Sequence, residues 1–276
     1  MNNEIIETYS IHNGNIINNK NQNIPHDFPS EVVYEVIRVI DGIPLFLEEH
    51  SERLIKSSDM VGMDISDLIH KIESDVKKLI EINNKPYKNL KIIVFKDTSE
   101  KLNYYMYFIK SYYPEPELYK KGINTILFKA SRKNPNAKVQ NLQLREAINK
   151  ELEKSGAYEA LLLNEYDNIT EGSKSNVFFI KNDILYTPPR QDILLGVTRT
   201  RILQLAGKLG IKIVEESIHK SFLNQCHGLF ITGTSPKVLP ISRVDSLVFD
   251  SANNEIIQRL MKAYDKLIED YINTHK

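Results

Sequence analysis

The chemistry-bearing residues of the chain fall into three polar clusters. The first is Arg132-Lys133-Asn134-Pro135-Asn136-Ala137-Lys138, a loop that runs into a predicted helix. Cations favour the C-terminal end of a helix, so Lys138 stands at the end where the dipole opposes it. The second is Thr170-Glu171-Gly172-Ser173-Lys174-Ser175-Asn176, a carboxylate among small polar residues between apolar strands. By itself it reads as a hairpin. The third is a pair of turns: Gly196-Val197-Thr198-Arg199 opens a helix, and Gly233-Thr234-Ser235 follows a strand. Free backbone N–H groups and the helix dipole make such a turn a natural anion site.

Together the clusters supply what pyridoxal 5'-phosphate (PLP) needs: a lysine for the Schiff base, a charged partner for the ring nitrogen, and a phosphate pocket. Other chemistries lack their motifs. The seven histidines show no metal-ligand spacing and there is no C-x-x-C, so no metal site is expected. P-loop, Rossmann and G-x-S-x-G patterns are absent.

The elements that must position these residues are mixed. Residues 33–40 alternate and are β-branched, predicting a strand closed by an Asp41-Gly42 turn. Helices are predicted over 46–61 and 66–83, then strands over 90–95 and 104–109. Residues 114–123, with their prolines and charges, are predicted to connect an N-terminal α/β domain (1–113) to a C-terminal domain (124–276) that carries Lys138. There, strands are expected at 125–129, 159–164, 177–180, 184–187, 212–216 and 228–232. Helices are expected at 140–154, 197–209 and from about 252. With no strict βαβα rhythm, the fold class is α+β. Residues 13–23 form an Asn-rich patch.

Composition sets the context. The chain has 276 residues, 41% hydrophobic, with 36 basic and 36 acidic side chains and net charge zero, giving no electrostatic footprint for nucleic acid. One cysteine fits a reducing compartment. The first residues lack a signal-peptide layout, and no apolar run approaches the roughly 20 residues of a membrane helix. A cytoplasmic protein is expected.

In order along the chain, Val33-Tyr34-Glu35-Val36, Phe46-Leu47-Glu48-Glu49-His50 through Arg53-Leu54, Asn136-Ala137-Lys138, Glu171-Gly172-Ser173 through Ser175-Asn176, Thr187-Pro188-Pro189, Leu195-Gly196-Val197-Thr198-Arg199 and Thr232-Gly233-Thr234-Ser235 resemble the fold-type IV PLP enzymes (class IV aminotransferases). That family includes branched-chain and D-amino-acid aminotransferases and aminodeoxychorismate lyases. The resemblance implies a two-domain α+β fold with the cofactor between domains, assembled as a homodimer. It implies that Lys138 holds PLP and later moves the proton, and that Glu171, 33 residues on, faces the ring nitrogen. Arg53, the N–H groups of Val197 and Thr198, and the hydroxyls of Thr234 and Ser235 would bind the phosphate. Ser175 and Asn176 would belong to the cofactor site, and Tyr34 would sit in the substrate pocket. Phe95-Lys96-Asp97 departs from the Arg-Gly of the D-specific enzymes and lyases, and Tyr34-Glu35 is transaminase-like. Leu142 stands where branched-chain enzymes usually carry a tyrosine. The function these features favour is transfer of an amino group between a branched-chain or hydrophobic L-amino acid and 2-oxoglutarate. The alternatives are pyruvate elimination from 4-amino-4-deoxychorismate and D-amino-acid transamination.

Overall fold

The computed structural model describes residues 4–20, 29, 32–132 and 134–276, and within it the chain forms two compact units. Lys133, and residues 21–23 of the Asn-rich patch, lie outside the described residues. The first unit comprises residues 1–112, Ala137–Gln140 and Ile268–Lys276; the second comprises Tyr113–Asn136 and Asn141–Leu267. The sequence expectation places Lys138 in the C-terminal domain. The structure groups it with the first unit, because its backbone is hydrogen-bonded to a strand there.

The first unit is a six-stranded antiparallel sheet. Its strands are β1 (Tyr9–His12), β2 (Asn15–Asn18), β3 (Val33–Ile40), β4 (Ile43–Pro44), β5 (Asn89–Lys96) and β6 (Leu102–Ile109), in the order β2-β1-β6-β5-β3-β4. Asp41 and Gly42 both have positive φ, 52° and 80°, so the hairpin pairs Ile40 with Ile43. The period-2 pattern of β3 buries Val33, Glu35, Ile37 and Val39 on one face. Helices α1 (Leu47–Asp59) and α2 (Ile69–Ile82) also bury apolar faces, and Leu54, Ile72, Val76 and Leu79 share a core with Val33, Ile37, Ile92, Val94 and Phe108. A second cluster gathers Ile93, Phe95, Tyr105 and Tyr107 with Tyr34.

The second unit holds α3 (Pro116–Lys121), β7 (Ile123–Lys129), α4 (Leu142–Ser155), β8 (Glu159–Leu163), β9 (Asn168–Gly172), β10 (Asn176–Lys181) and β11 (Ile184–Thr187). It continues with α5 (Val197–Lys208), β12 (Ile213–Glu215), β13 (Ile218–His219), β14 (Gly228–Gly233), β15 (Lys237–Val244), β16 (Leu247–Val248) and most of α6 (Glu255–His275). The ten-stranded sheet runs β12-β11-β10-β14-β15-β7-β8-β9-β13, with β16 on β15. Parallel pairs (β7 with β8 and β15, β11 with β12) mix with antiparallel ones. The architecture is α+β, as the sequence predicts. The predicted connection contains α3, which starts on Pro116, a residue suited to the first helical turn. No helix among the described residues is long and apolar enough to cross a membrane.

Candidate active site

Lys138 is fixed by its backbone. Tyr34 N–H donates to Lys138 O (3.0 Å), Gln140 N–H donates to Val32 O (3.1 Å), and Val139 bridges to Val33. Lys138 N–H donates to Ser57 Oγ on α1 (3.2 Å). The β-branched Val139 and the buried Ala137 suit a short extended segment laid along β3. The Lys138 Nζ consequently stands 4.6 Å from the centre of the Tyr34 ring.

On the buried face of β3, Glu35 takes the guanidinium of Arg53 at two points. Nε donates to Oε1 and Nη2 to Oε2, both at 2.7 Å. His50 Nδ1 lies 2.8 Å from Oε2. An ionised carboxylate only accepts, so His50 Nδ1 is the donor. Burial alone would raise the Glu35 carboxyl, which is 0% exposed. The Arg53 guanidinium and the two hydrogen-bond partners outweigh it and hold the group far below the ordinary carboxylate range. Burial lowers the His50 imidazole, the Glu35 carboxylate opposes this only in part, and the charges of Arg53 and Lys138 push the same way as burial. The first unit thus brings together Lys138 and Tyr34, and gathers Arg53, Glu35 and His50. Sequence reasoning names neither His50 nor Ser57 as a site residue and gives Glu35 no contact. A signal is there: Glu35 is a carboxylate in the inward phase of a strand, and His50 lies on the same helix face as Leu47 and Leu54.

In the second unit, Glu171 is 3% exposed at the end of β9. Arg132 Nε lies 3.2 Å from its Oε1, and Leu194 N–H donates to Oε2 (3.1 Å). A cavity of about 120 Å³ adjoins it, lined by Arg132, Pro135, Leu162, Thr170 and Asp192 among others. The hairpin that follows is organised around a different carboxylate. The hydroxyls of Ser173 and Ser175 donate to buried Glu159 (2.6 and 3.1 Å), as do the N–H groups of Ala160 and Ser173 (2.9 and 3.2 Å). Ser175 therefore shapes the turn beside Glu171.

Asn176 adjoins the segments that lead into both predicted anion turns. Its Nδ2 donates to Leu194 O (2.8 Å), and its Oδ1 lies 2.1 Å from where a Cβ on Gly196 would be. In the sheet it pairs with Thr232, one residue before Gly233. Gly196 caps α5 and brings no side-chain acceptor of its own to the first N–H groups of that helix, among them those of Val197 and Thr198. Tyr264 O–H donates to Thr198 Oγ1 (3.4 Å). The buried Thr232 Oγ1 has no partner among the described residues. Asn176 thus adjoins Gly196, which leads into Val197-Thr198, and pairs with Thr232, which leads into Gly233-Thr234-Ser235. A buried carboxylate is linked to the first of these turns through Leu194. The donors fit a phosphate and the carboxylate acceptor fits a protonated ring nitrogen, as PLP presents.

Residues 32–244 match the family model for amino-transferase class IV, and the chain belongs to that family. It is 30% identical to a D-alanine aminotransferase of Bacillus licheniformis, over 79% of this chain and 81% of that one. It is 29% identical to a putative branched-chain-amino-acid aminotransferase of Methanocaldococcus jannaschii, over 84% and 85%. Its fold matches that of the branched-chain aminotransferase of the thermophilic archaeon Thermoproteus uzoniensis, solved with norvaline, with TM-score 0.85, 22% identity, and 97% and 98% of the two chains covered. Another branched-chain amino acid aminotransferase of the same fold, with TM-score 0.85 and 22% identity over 97% and 96% of the two chains, was solved with pyridoxamine 5'-phosphate.

Proposed function

We propose that this class IV aminotransferase uses PLP to move an amino group between an apolar L-amino acid, branched-chain acids foremost, and 2-oxoglutarate. The observation that carries the reading is the placement of Lys138: a lysine clamped by its backbone between β3 and α1, its Nζ over the ring of Tyr34. The apolar choice is supported by the aromatic and aliphatic cluster around Tyr34 and by the branched-chain relative.

When bound, PLP supplies an aldehyde that takes up the amino group and a ring that accepts the electrons left on the substrate Cα. Lys138 Nζ holds the cofactor and, once released by the substrate, takes the proton from Cα and returns it as general acid. A backbone clamp suits this, because the amine must move while its Cα stays fixed. The Glu171 carboxylate would keep the ring nitrogen protonated, itself held by Leu194 N–H and Arg132. Arg53, as an always-charged fork, would bind the phosphate with the N–H groups of Val197 and Thr198 and the hydroxyls of Thr234 and Ser235. Ser175 and Asn176 would shape that cradle, and Tyr34 would bound the substrate. The enzyme would work by a ping-pong scheme as a cytoplasmic homodimer.

The test is a donor panel. PLP-loaded protein mixed separately with L-leucine, L-glutamate and D-alanine should release the 2-oxo acid of the first two. Oxo acid from D-alanine alone would reassign the enzyme to D-amino acids. Pyruvate from 4-amino-4-deoxychorismate, with no release from any amino acid, would make it a lyase.

A further inference from the structure

A guanidinium on a long side chain samples many rotamers, and fixing it costs entropy. A phosphate monoester is bound best by a fork already aimed. Arg53 lies on α1, and its Nε–Nη2 edge is taken from inside the unit by both oxygens of Glu35. Glu35 is itself held in place: it is fully buried in a rigid strand and its Oε2 also receives His50 Nδ1–H. His50 and Arg53 are one turn apart on the same helix, so the carboxylate ties β3 to two successive turns of α1. The same strand carries Tyr34, whose N–H holds Lys138. A guanidinium has five donors, and a carboxylate clasped to one edge dictates where the remaining ones point.

We propose that Glu35 is the positioning residue of the phosphate site, its two-point grip aiming Arg53 at the phosphate of PLP. This rests on the reading of Arg53 given above. The carboxylate would not touch the phosphate, with which it would repel. It acts through the arginine, and His50 keeps it in register. Loss of the grip therefore weakens recognition of the phosphate group selectively, leaving the lysine chemistry in place.

The experiment compares two aldehydes that differ only in the phosphate. Full-length apo-protein is titrated with PLP and with pyridoxal, following cofactor absorbance, for the wild type, Glu35→Gln and Glu35→Asp. Inorganic phosphate serves as a competitor for PLP. Wild type should prefer PLP strongly. In Glu35→Gln, affinity for PLP should fall about tenfold or more, the loss of one charge-assisted contact's worth of orientation, with pyridoxal affinity within about twofold of wild type. Inorganic phosphate should compete correspondingly less well. Glu35→Asp retains the charge that balances Arg53 but is one methylene short of the two-point grip. It should show the same selective loss and is the variant to read if Glu35→Gln is not recovered folded. Equal weakening of both aldehydes, or an unchanged PLP-to-pyridoxal ratio, would overturn the positioning role while leaving the aminotransferase reading intact. A wild type that shows no preference for PLP over pyridoxal would overturn the assignment of Arg53 as well. A wild type that binds neither aldehyde at Lys138 would overturn the functional reading itself.

Discussion

Asn176 Oδ1 occupies the space in which a side chain on Gly196 would begin, 2.1 Å from the ideal Cβ position. Gly196 has an ordinary φ of −66°, so the requirement for glycine here is one of space alone. Asn176 is buried and its amide is committed to Leu194 O, so it cannot swing away without giving up that bond. Gly196→Ala should therefore destabilise the protein by about 1–3 kcal/mol, the usual cost of overpacking. Asn176→Ser should relieve part of that in the double variant, read as a coupling in urea denaturation. Additive losses would show that the two residues do not contend for the same space.

Glu171 offers a second test, because its charge and its shape can be separated. Glu171→Gln keeps an acceptor for Leu194 N–H but removes the negative charge facing Arg132. The cofactor should still be fixed at Lys138. Turnover should fall on the order of 100-fold, as when a positioned electrostatic group is lost from an active site. A variant with wild-type kcat would show that Glu171 has no part in the chemistry.

His50 is buried and its pKa in the folded state lies below the usual 6.5. Between the two values the unfolded chain binds a proton that the folded chain does not, so stability rises with pH there and falls as the pH drops below about 6.5. His12 shifts in the same direction and contributes to the same trend. Glu35 is depressed too, and its contribution stays intact down to the ordinary carboxylate range and is lost progressively only below about pH 4.5, outside this window. The unfolding midpoint should thus fall between pH 7 and pH 5, and His50→Gln should shallow that slope. An unchanged slope would show that folding does not lower the His50 pKa.

Much of this is legible in the residues. Strands β3 and β11 are predicted to the residue, since Val33–Ile40 and Ile184–Thr187 carry β-branched patterns bounded by turns. The short strands β1 and β2 go unread, because Asn13, Asn15 and Asn18 mask two four-residue elements whose pairing is supplied by β6. Strand β15 is missed for a sharper reason. It contains Pro240, which argues against a central strand. The structure accommodates it by dividing the pairing: Lys237–Pro240 pairs with β14, while β7 is engaged only from Ile241 on, with a register shift after it. The hydroxyls of Ser173 and Ser175 belong to the motif, but their acceptor, Glu159, is distant in sequence and cannot be read from it. The same holds for Lys138, whose motif is plain and whose anchors, Tyr34 and Ser57, depend on strand register and helix packing.

In the proposed function the cofactor is held by Lys138. The most direct measurement is borohydride reduction of the PLP-loaded protein, followed by proteolysis and mass mapping of the modified lysine, with Lys138→Ala in parallel. One adduct is expected, on the peptide containing Lys138, with neither adduct nor amino transfer in the variant. The variant should remain folded, because the bonds that seat this residue come from its backbone. An adduct on another of the chain's lysines, or transamination by Lys138→Ala at the wild-type rate, would contradict this role of Lys138.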